Sequence, residues 1–193
     1  VFKRLVIAIL VATGVTTIGT AAEASANSGV HTVQSGDTLY EIAMKYGVSM
    51  KQLQQVNGKS GSMIYPGEQL TLPVVPGSYE RDLLARLVEA EAKGESYAGK
   101  VAVATVVLNR VESDLFPDSI YGVIYQDRQF TPVSNGTINQ AASDASERAV
   151  QEALAYQGYD RGSLFFYNPD KATSAYLSQK EVTTIIGNHV FLR

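Results

Sequence analysis

Apolar and polar positions alternate with different periods in three stretches of the chain. In the first, Lys3 and Arg4 precede a nearly unbroken apolar run over 5–15, and Ala24-Ser25-Ala26 follows. A charged start, an apolar middle and a small-residue cleavage site make up a secretory signal peptide, so residues 1–26 are expected to be removed on export. The second stretch, 30–74, mixes short alternating runs with short helical periods. The third, 79–193, carries longer helical periods and two more alternating runs.

In the second stretch His31-Thr32-Val33-Gln34 alternates as a strand and breaks at Ser35-Gly36-Asp37. Asp37 is placed to cap a helix over 38–46, where Leu39, Ile42, Ala43 and Tyr46 recur at helical spacing. Gly47 ends that helix. Ser49 caps a second one carrying Leu53 and Val56, which stops at Asn57-Gly58. Pro66-Gly67 is a turn before a closing strand, Gln69-Leu70-Thr71-Leu72. Pro73 and Pro76 stiffen the linker that follows, which should keep the two parts close.

The third stretch opens with a predicted helix over 80–93. Leu83, Leu84, Leu87 and Val88 form one stripe, and Glu91 continues it, one turn beyond Leu87 and Val88. Glu89 falls on another face beside Arg86 and is predicted to be a solvated partner. Gly94 ends the helix, leaving Glu91 in its last turn, at the negative end of the dipole. Apolar neighbours and that dipole both disfavour a carboxylate, so the Glu91 pKa should be raised. Such an acid lining a cleft suits proton donation to a leaving oxygen. The same spacing describes a structural Glu bonded to backbone donors, and periodicity does not separate the two. The next period, 97–111, is apolar on all sides and predicts a buried central helix, covered by helices over 119–125 and 143–157. Residues 129–136 read as a loop, and 164–167 and 189–192 as strands, with a turn at Gly187-Asn188 before the last.

Composition narrows the chemistry. The chain has 193 residues and a formal charge of −3, with no Lys/Arg cluster, so nucleic acid is excluded as a partner. No Cys means no disulfide, no thiolate nucleophile and no Cys-ligated zinc. Two His, His31 and His189, are too few for a three-His zinc site, so neither metal nor cofactor is expected. The absence of G-x-S-x-G removes the commonest serine-hydrolase signature. A folded, exported chain with no membrane span after processing is the reading these facts support, and a monomer is expected.

Two resemblances then attach to particular residues. Val33-Gln34-Ser35-Gly36-Asp37-Thr38-Leu39, Ile42-Ala43, Tyr46-Gly47-Val48-Ser49, Leu53, Asn57 and Ile64-Tyr65-Pro66-Gly67-Glu68-Gln69-Leu70 resemble a LysM domain. The resemblance implies a βααβ module over 30–74 that binds N-acetylglucosamine-containing glycan such as peptidoglycan. Its groove would lie between two loops, with Gly36, Asp37, Thr38 and Leu39 on one side and Ile64, Tyr65 and Pro66 on the other.

Residues 79–193 resemble the spore cortex-lytic enzyme and cell-wall hydrolase family of the SleB/CwlJ type. The carrying motifs are Glu91-Ala92-Lys93-Gly94-Glu95, Gly99-Lys100-Val101-Ala102-Val103-Ala104, Val107-Leu108-Asn109-Arg110-Val111, Gln129-Phe130-Thr131-Pro132-Val133, Tyr167-Asn168-Pro169-Asp170-Lys171-Ala172-Thr173-Ser174 and Gly187-Asn188-His189-Val190-Phe191. Lys93 departs from the Arg that many relatives carry. The resemblance implies a helix-rich, lysozyme-like catalytic domain with a short sheet, hence an α+β chain overall. It implies cleavage of peptidoglycan between N-acetylmuramic acid and N-acetylglucosamine, by lytic transglycosylation or as a muramidase, with Glu91 catalytic. Glu95, Phe130, Thr131, Tyr167, Asn168 and Lys171 are the candidate substrate-binding residues of this domain. A non-catalytic wall-binding protein and an N-acetylmuramoyl-L-alanine amidase are the rival readings. The implied location is the cell wall or spore cortex of a Gram-positive bacterium.

Overall fold

Strands β1 (Val30–Thr32) and β2 (Gln69–Thr71) pair antiparallel with His31 opposite Leu70, and between them run helices α1 (Leu39–Tyr46) and α2 (Met50–Val56). The computed structural model describes residues 29–171 and 173–193, so the expected signal segment, 1–26, lies outside the described residues. Val33, Leu39, Ile42, Leu53 and Leu70 fill the small core of this module. Its first cap differs from the expectation. Thr38, not Asp37, caps α1, accepting from the Glu41 N–H while the Glu41 carboxylate takes the Thr38 N–H. Asp37 is drawn away because its Oδ2 lies 2.8 Å from both the Gln34 N–H and His31 Nε2.

The rest of the described chain is helical with one small sheet. Helix α3 (Ser78–Glu91), α4 (Tyr97–Val111), α5 (Ile120–Tyr125), α6 (Thr131–Asn135) and α7 (Asp144–Ala155) precede strands β3 (Phe165–Tyr167), β4 (Val182–Ile186) and β5 (His189–Leu192). The three strands are antiparallel in the order β3–β5–β4. Helix α4 packs against α3, α5 and α7 through Val103, Ala104, Val106, Val107 and Leu108. At its C-terminal end it also ties down the sheet. Asn109 Nδ2 donates to the Ser163 carbonyl at 3.0 Å, and Arg110 Nε to the Leu164 carbonyl at 2.7 Å. The Arg110 guanidinium sits 4.8, 5.3 and 5.6 Å from the ring centres of Phe116, Phe130 and Phe165, and burial lowers its pKa to about 10.

Three expectations change. Residues 129–136 hold helix α6 and lead into a 3₁₀ turn at Thr137–Asn139, rather than forming a loop; Pro132 lies in the first turn, where its missing N–H costs nothing. Strand β4 was not predicted. Helix α4 is not covered on every side, for Tyr97 is 41% exposed and Val101 and Thr105 are only half-buried.

The two modules share a wall. Ala155, the last residue of α7, belongs to the core of the βααβ module, and α1 packs along α7. The Tyr40 and Tyr156 rings lie 5.3 Å apart, and Tyr159 donates to Gln54 at 2.7 Å. Gly47 closes α1 in the left-handed region, where a side chain would be strained, and a Cβ there would also stand 2.9 Å from Arg81 Nη1. Ser49 serves both sides: its Oγ accepts the Gln52 N–H as the cap of α2 and donates to the Gln157 carbonyl at 3.0 Å. Ser49→Ala should therefore cost about 1–2 kcal/mol, at the upper end for a lost cap, read as a lower denaturation midpoint of the whole chain.

Candidate active site

Glu91 is the final residue of α3. The Ala92 N–H closes the helix on the Val88 carbonyl at 2.9 Å, and Gly94, at φ 87°, turns the chain toward α4. The side chains of Leu84, Leu87 and Val88 are fully buried, so the stripe that carries Glu91 is the core stripe. Glu91 itself is half-buried and, among the described residues, has no hydrogen-bond or ion-pair partner. Its removal from water pushes the carboxyl pKa up. It lines a cleft of about 520 Å³. Arg86, Glu89 and Glu91 form one wall; Thr131, Asn135, Thr137 and Gln140, from α6 and the 3₁₀ turn, form the other. Arg86 holds the walls together by donating to the Ile138 carbonyl at 3.1 Å.

Glu89 is not the solvated partner of Arg86 that its helical position suggested. Arg86 pairs with Asp82 instead, at 3.0 Å. The Glu89 Oε2 accepts from the hydroxyls of Ser143 and Ser146, both at the start of α7, and lies 3.4 Å from Lys100 Nζ. These bonds, those from the two serines first, hold its pKa at about 2. The cleft therefore contains two unlike acids. One is raised by burial, the other kept ionised by hydrogen bonds, and such a separation is what acid and anion roles require.

The remaining candidates scatter. Thr131 lies in the cleft wall. Phe130, its neighbour, is 5% exposed and packs in the core under Arg110, so its ring is spent on packing. Glu95 accepts from the Asn188 side chain at 3.2 Å and from the Asn188 N–H at 3.3 Å, pinning the β4–β5 turn to the α3–α4 connection, and these bonds lower its pKa. Lys171 and His189 lie near enough to Glu95 to act on its charge. Tyr167 lines a separate hollow with Pro169 and Ser174, and Asn168 is buried with its Oδ1 on the Asp170 N–H at 2.9 Å. Asn135, Thr137 and Gln140 were missed: Asn135 lay in the stretch read as a turn-rich loop, and Thr137 and Gln140, just beyond it, carried no pattern that pointed to a site. In the small module Gly36, Thr38, Tyr65 and Pro66 are exposed, Ile64 is half-buried, and Leu39 lies beneath them in the core. Asp37 is committed to His31 and Gln34. Among the described residues no group of three or more His, Asp or Glu could hold a metal ion, and no helix is long and apolar enough to cross a membrane.

A helix-rich domain carrying a half-buried acid at a helix end, behind a βααβ module, defines the class. Residues 31–73 match the LysM domain and residues 94–192 match the Cell Wall Hydrolase family. The chain belongs to the cell wall hydrolase family, with a LysM domain ahead of the family domain. The hydrolase match begins at Gly94, so Glu91 rests on the geometry above. The chain is 41% identical over 120 residues to a spore cortex-lytic enzyme of Halalkalibacterium halodurans, covering 61% of this chain and 36% of that protein. Against the spore cortex-lytic enzyme of Bacillus subtilis it is 38% identical over 120 residues, covering 61% and 39%. These matches thus span well under half of either relative. Its fold is similar to the catalytic domain of the germination-specific lytic transglycosylase SleB from Bacillus anthracis. The TM-score is 0.59 at 35% identity, over 63% of this chain and 99% of that one. The Bacillus cereus SleB catalytic domain gives a TM-score of 0.58 at 36% identity, over 63% and 94%.

Glu89→Gln should destabilise the chain by about 1–3 kcal/mol, because Lys100, 9% exposed, loses its carboxylate. The sign with pH is fixed by the lowered pKa. The ionised Glu89 contributes fully above the unfolded value of 4.5, and the contribution is lost as pH falls toward about 2. Melting curves of the two proteins should therefore converge on acidification.

Proposed function

We propose that this protein is a peptidoglycan-degrading enzyme that cuts the glycosidic bond from N-acetylmuramic acid to N-acetylglucosamine as a lytic transglycosylase. The observation that carries this reading is Glu91, an acid with a raised pKa and no partner among the described residues, lining a cleft of about 520 Å³. Protonated Glu91 gives its proton to the glycosidic oxygen as the C1–O bond breaks and the bonding pair leaves with that oxygen. Positive charge develops on the muramic acid ring. Glu89, ionised and paired with Lys100 on the same cleft wall, does not compete with Glu91 for the proton. The Glu91 carboxylate then takes the proton of the C6 hydroxyl, and O6 closes on C1 to give a 1,6-anhydro ring. Glu91 ends protonated, ready for another cycle. The LysM domain holds the same polymer through the exposed face around Gly36, Thr38, Tyr65 and Pro66. The protein acts outside the membrane, in the cell wall or spore cortex.

Glu91→Gln should lower cleavage of purified sacculi by at least ~10²–10⁴-fold, the usual worth of general acid–base assistance. The amide fits the same space, and a carboxyl whose pKa is raised by folding costs stability above 4.5. The variant should therefore match or exceed the native melting temperature at neutral pH and keep its wall binding. Asp114→Asn, at an exposed position beyond the end of α4, is the control and should leave the rate unchanged. Mass spectrometry of the native digest should show anhydro ends, lighter by one water than hydrolytic ends. Near-normal cleavage by the Glu91 variant would remove the assignment of the acid.

A further inference from the structure

The open side of α4 is built like a second sugar site. Tyr97 and Val101, one turn apart, form its floor, and Tyr156 and Tyr159, beyond the end of α7, form one wall. Ile186 and Phe191 of the β4–β5 hairpin form the other. The groove holds about 470 Å³ and its lining is mainly apolar, with three tyrosine rings, 41%, 43% and 51% exposed, carrying hydroxyls at its edge. Two hydroxyls are held in place: Tyr97 donates to Glu152 at 2.8 Å, and Tyr159 to Gln54 of the LysM module at 2.7 Å. Aromatic faces with fixed polar tips suit the apolar face and rim hydroxyls of a pyranose, and apolar floor residues suit an N-acetyl methyl.

Position makes the case specific. Tyr40 directly follows the LysM loop Gly36-Asp37-Thr38-Leu39, and its ring lies 5.3 Å from Tyr156. The helix that begins at the loop assigned to glycan by the LysM resemblance therefore meets the Tyr156 wall of the groove through Tyr40. The rim carries Glu152, Asp160 and Arg161, so its charge disfavours a polyanion and leaves acceptors for sugar hydroxyls. We infer that this groove is an accessory subsite for a neutral N-acetylhexosamine strand, continuing the LysM site across the junction onto the catalytic domain. The inference rests on the proposed binding of glycan by the LysM domain.

The test uses the whole chain from residue 27, with Glu91→Gln to prevent turnover, and calorimetric titration with short and long N-acetylglucosamine oligomers. The long oligomer should bind about tenfold more tightly than the short one, the gain that two or three stacked rings would add. Tyr97→Ala should abolish that difference and leave the affinity for the short oligomer intact. Ala98→Gln, which fills the exposed rim without removing a ring, should do the same if the groove is the site. Equal affinity for both oligomers in the parent protein would overturn the subsite while leaving the LysM reading standing. Length dependence that survives both variants would do so too. Binding of neither oligomer would overturn the LysM reading and the subsite with it. A gain seen only with peptide-bearing fragments would give the groove to the stem peptide and also overturn the inference.

Discussion

Helix α7 supports both halves of this molecule, and most of the arrangement follows from that. Its Val150, Ala153 and Leu154 are buried in the catalytic domain, while Ala155, one residue on, lies in the LysM core. Small residues make this possible, since alanine lets a second helix approach without leaving a void. Its N-terminal end has a further task. Ser143 and Ser146 carry the Glu89 bonds, so the helix that seats the binding module also fixes an acid in the cleft.

The chemistry proposed for the cleft depends on unequal treatment of two glutamates on one helix. Glu91 shares the core stripe and loses water without gaining a partner among the described residues; Glu89 lies off that stripe and gains three donors. Neither environment needs an unusual backbone. What differs is the second element each side chain meets, and only Glu89 meets the start of a helix, where hydroxyl and N–H donors gather.

Legibility in the sequence follows the same division between local and tertiary causes. Helix α4, the stripe on α3 and the cap at Ser49 are written in short-range spacing and were readable. Strand β4 was not, since a register shift between Val182 and Thr184 breaks the two-residue alternation that marks a strand. Helix α6 is five residues long, too short to show a period. The placement of Glu91 on the buried face was legible. The partners of Glu89 were not, because Ser143 and Ser146 are more than fifty positions away. The open side of α4 was hidden for a related reason: an apolar face and a ligand-facing face share one composition.

The meeting of Gly47 with Arg81 has a consequence for how such proteins are assembled from parts. Gly47 is required where it stands by the left-handed end of α1, whatever lies next to it. The concavity that admits the Arg81 guanidinium is thus a by-product of ending a helix. A module with the same helix terminus would offer the same notch to any neighbour. The docked arrangement is specified on both sides of the junction, by Arg81, Tyr156 and Tyr159 of the catalytic domain and by Tyr40, Ser49 and Gln54 of the LysM module. An exchanged module would bring the notch with it, but would dock only if it also carried counterparts of Tyr40, Ser49 and Gln54.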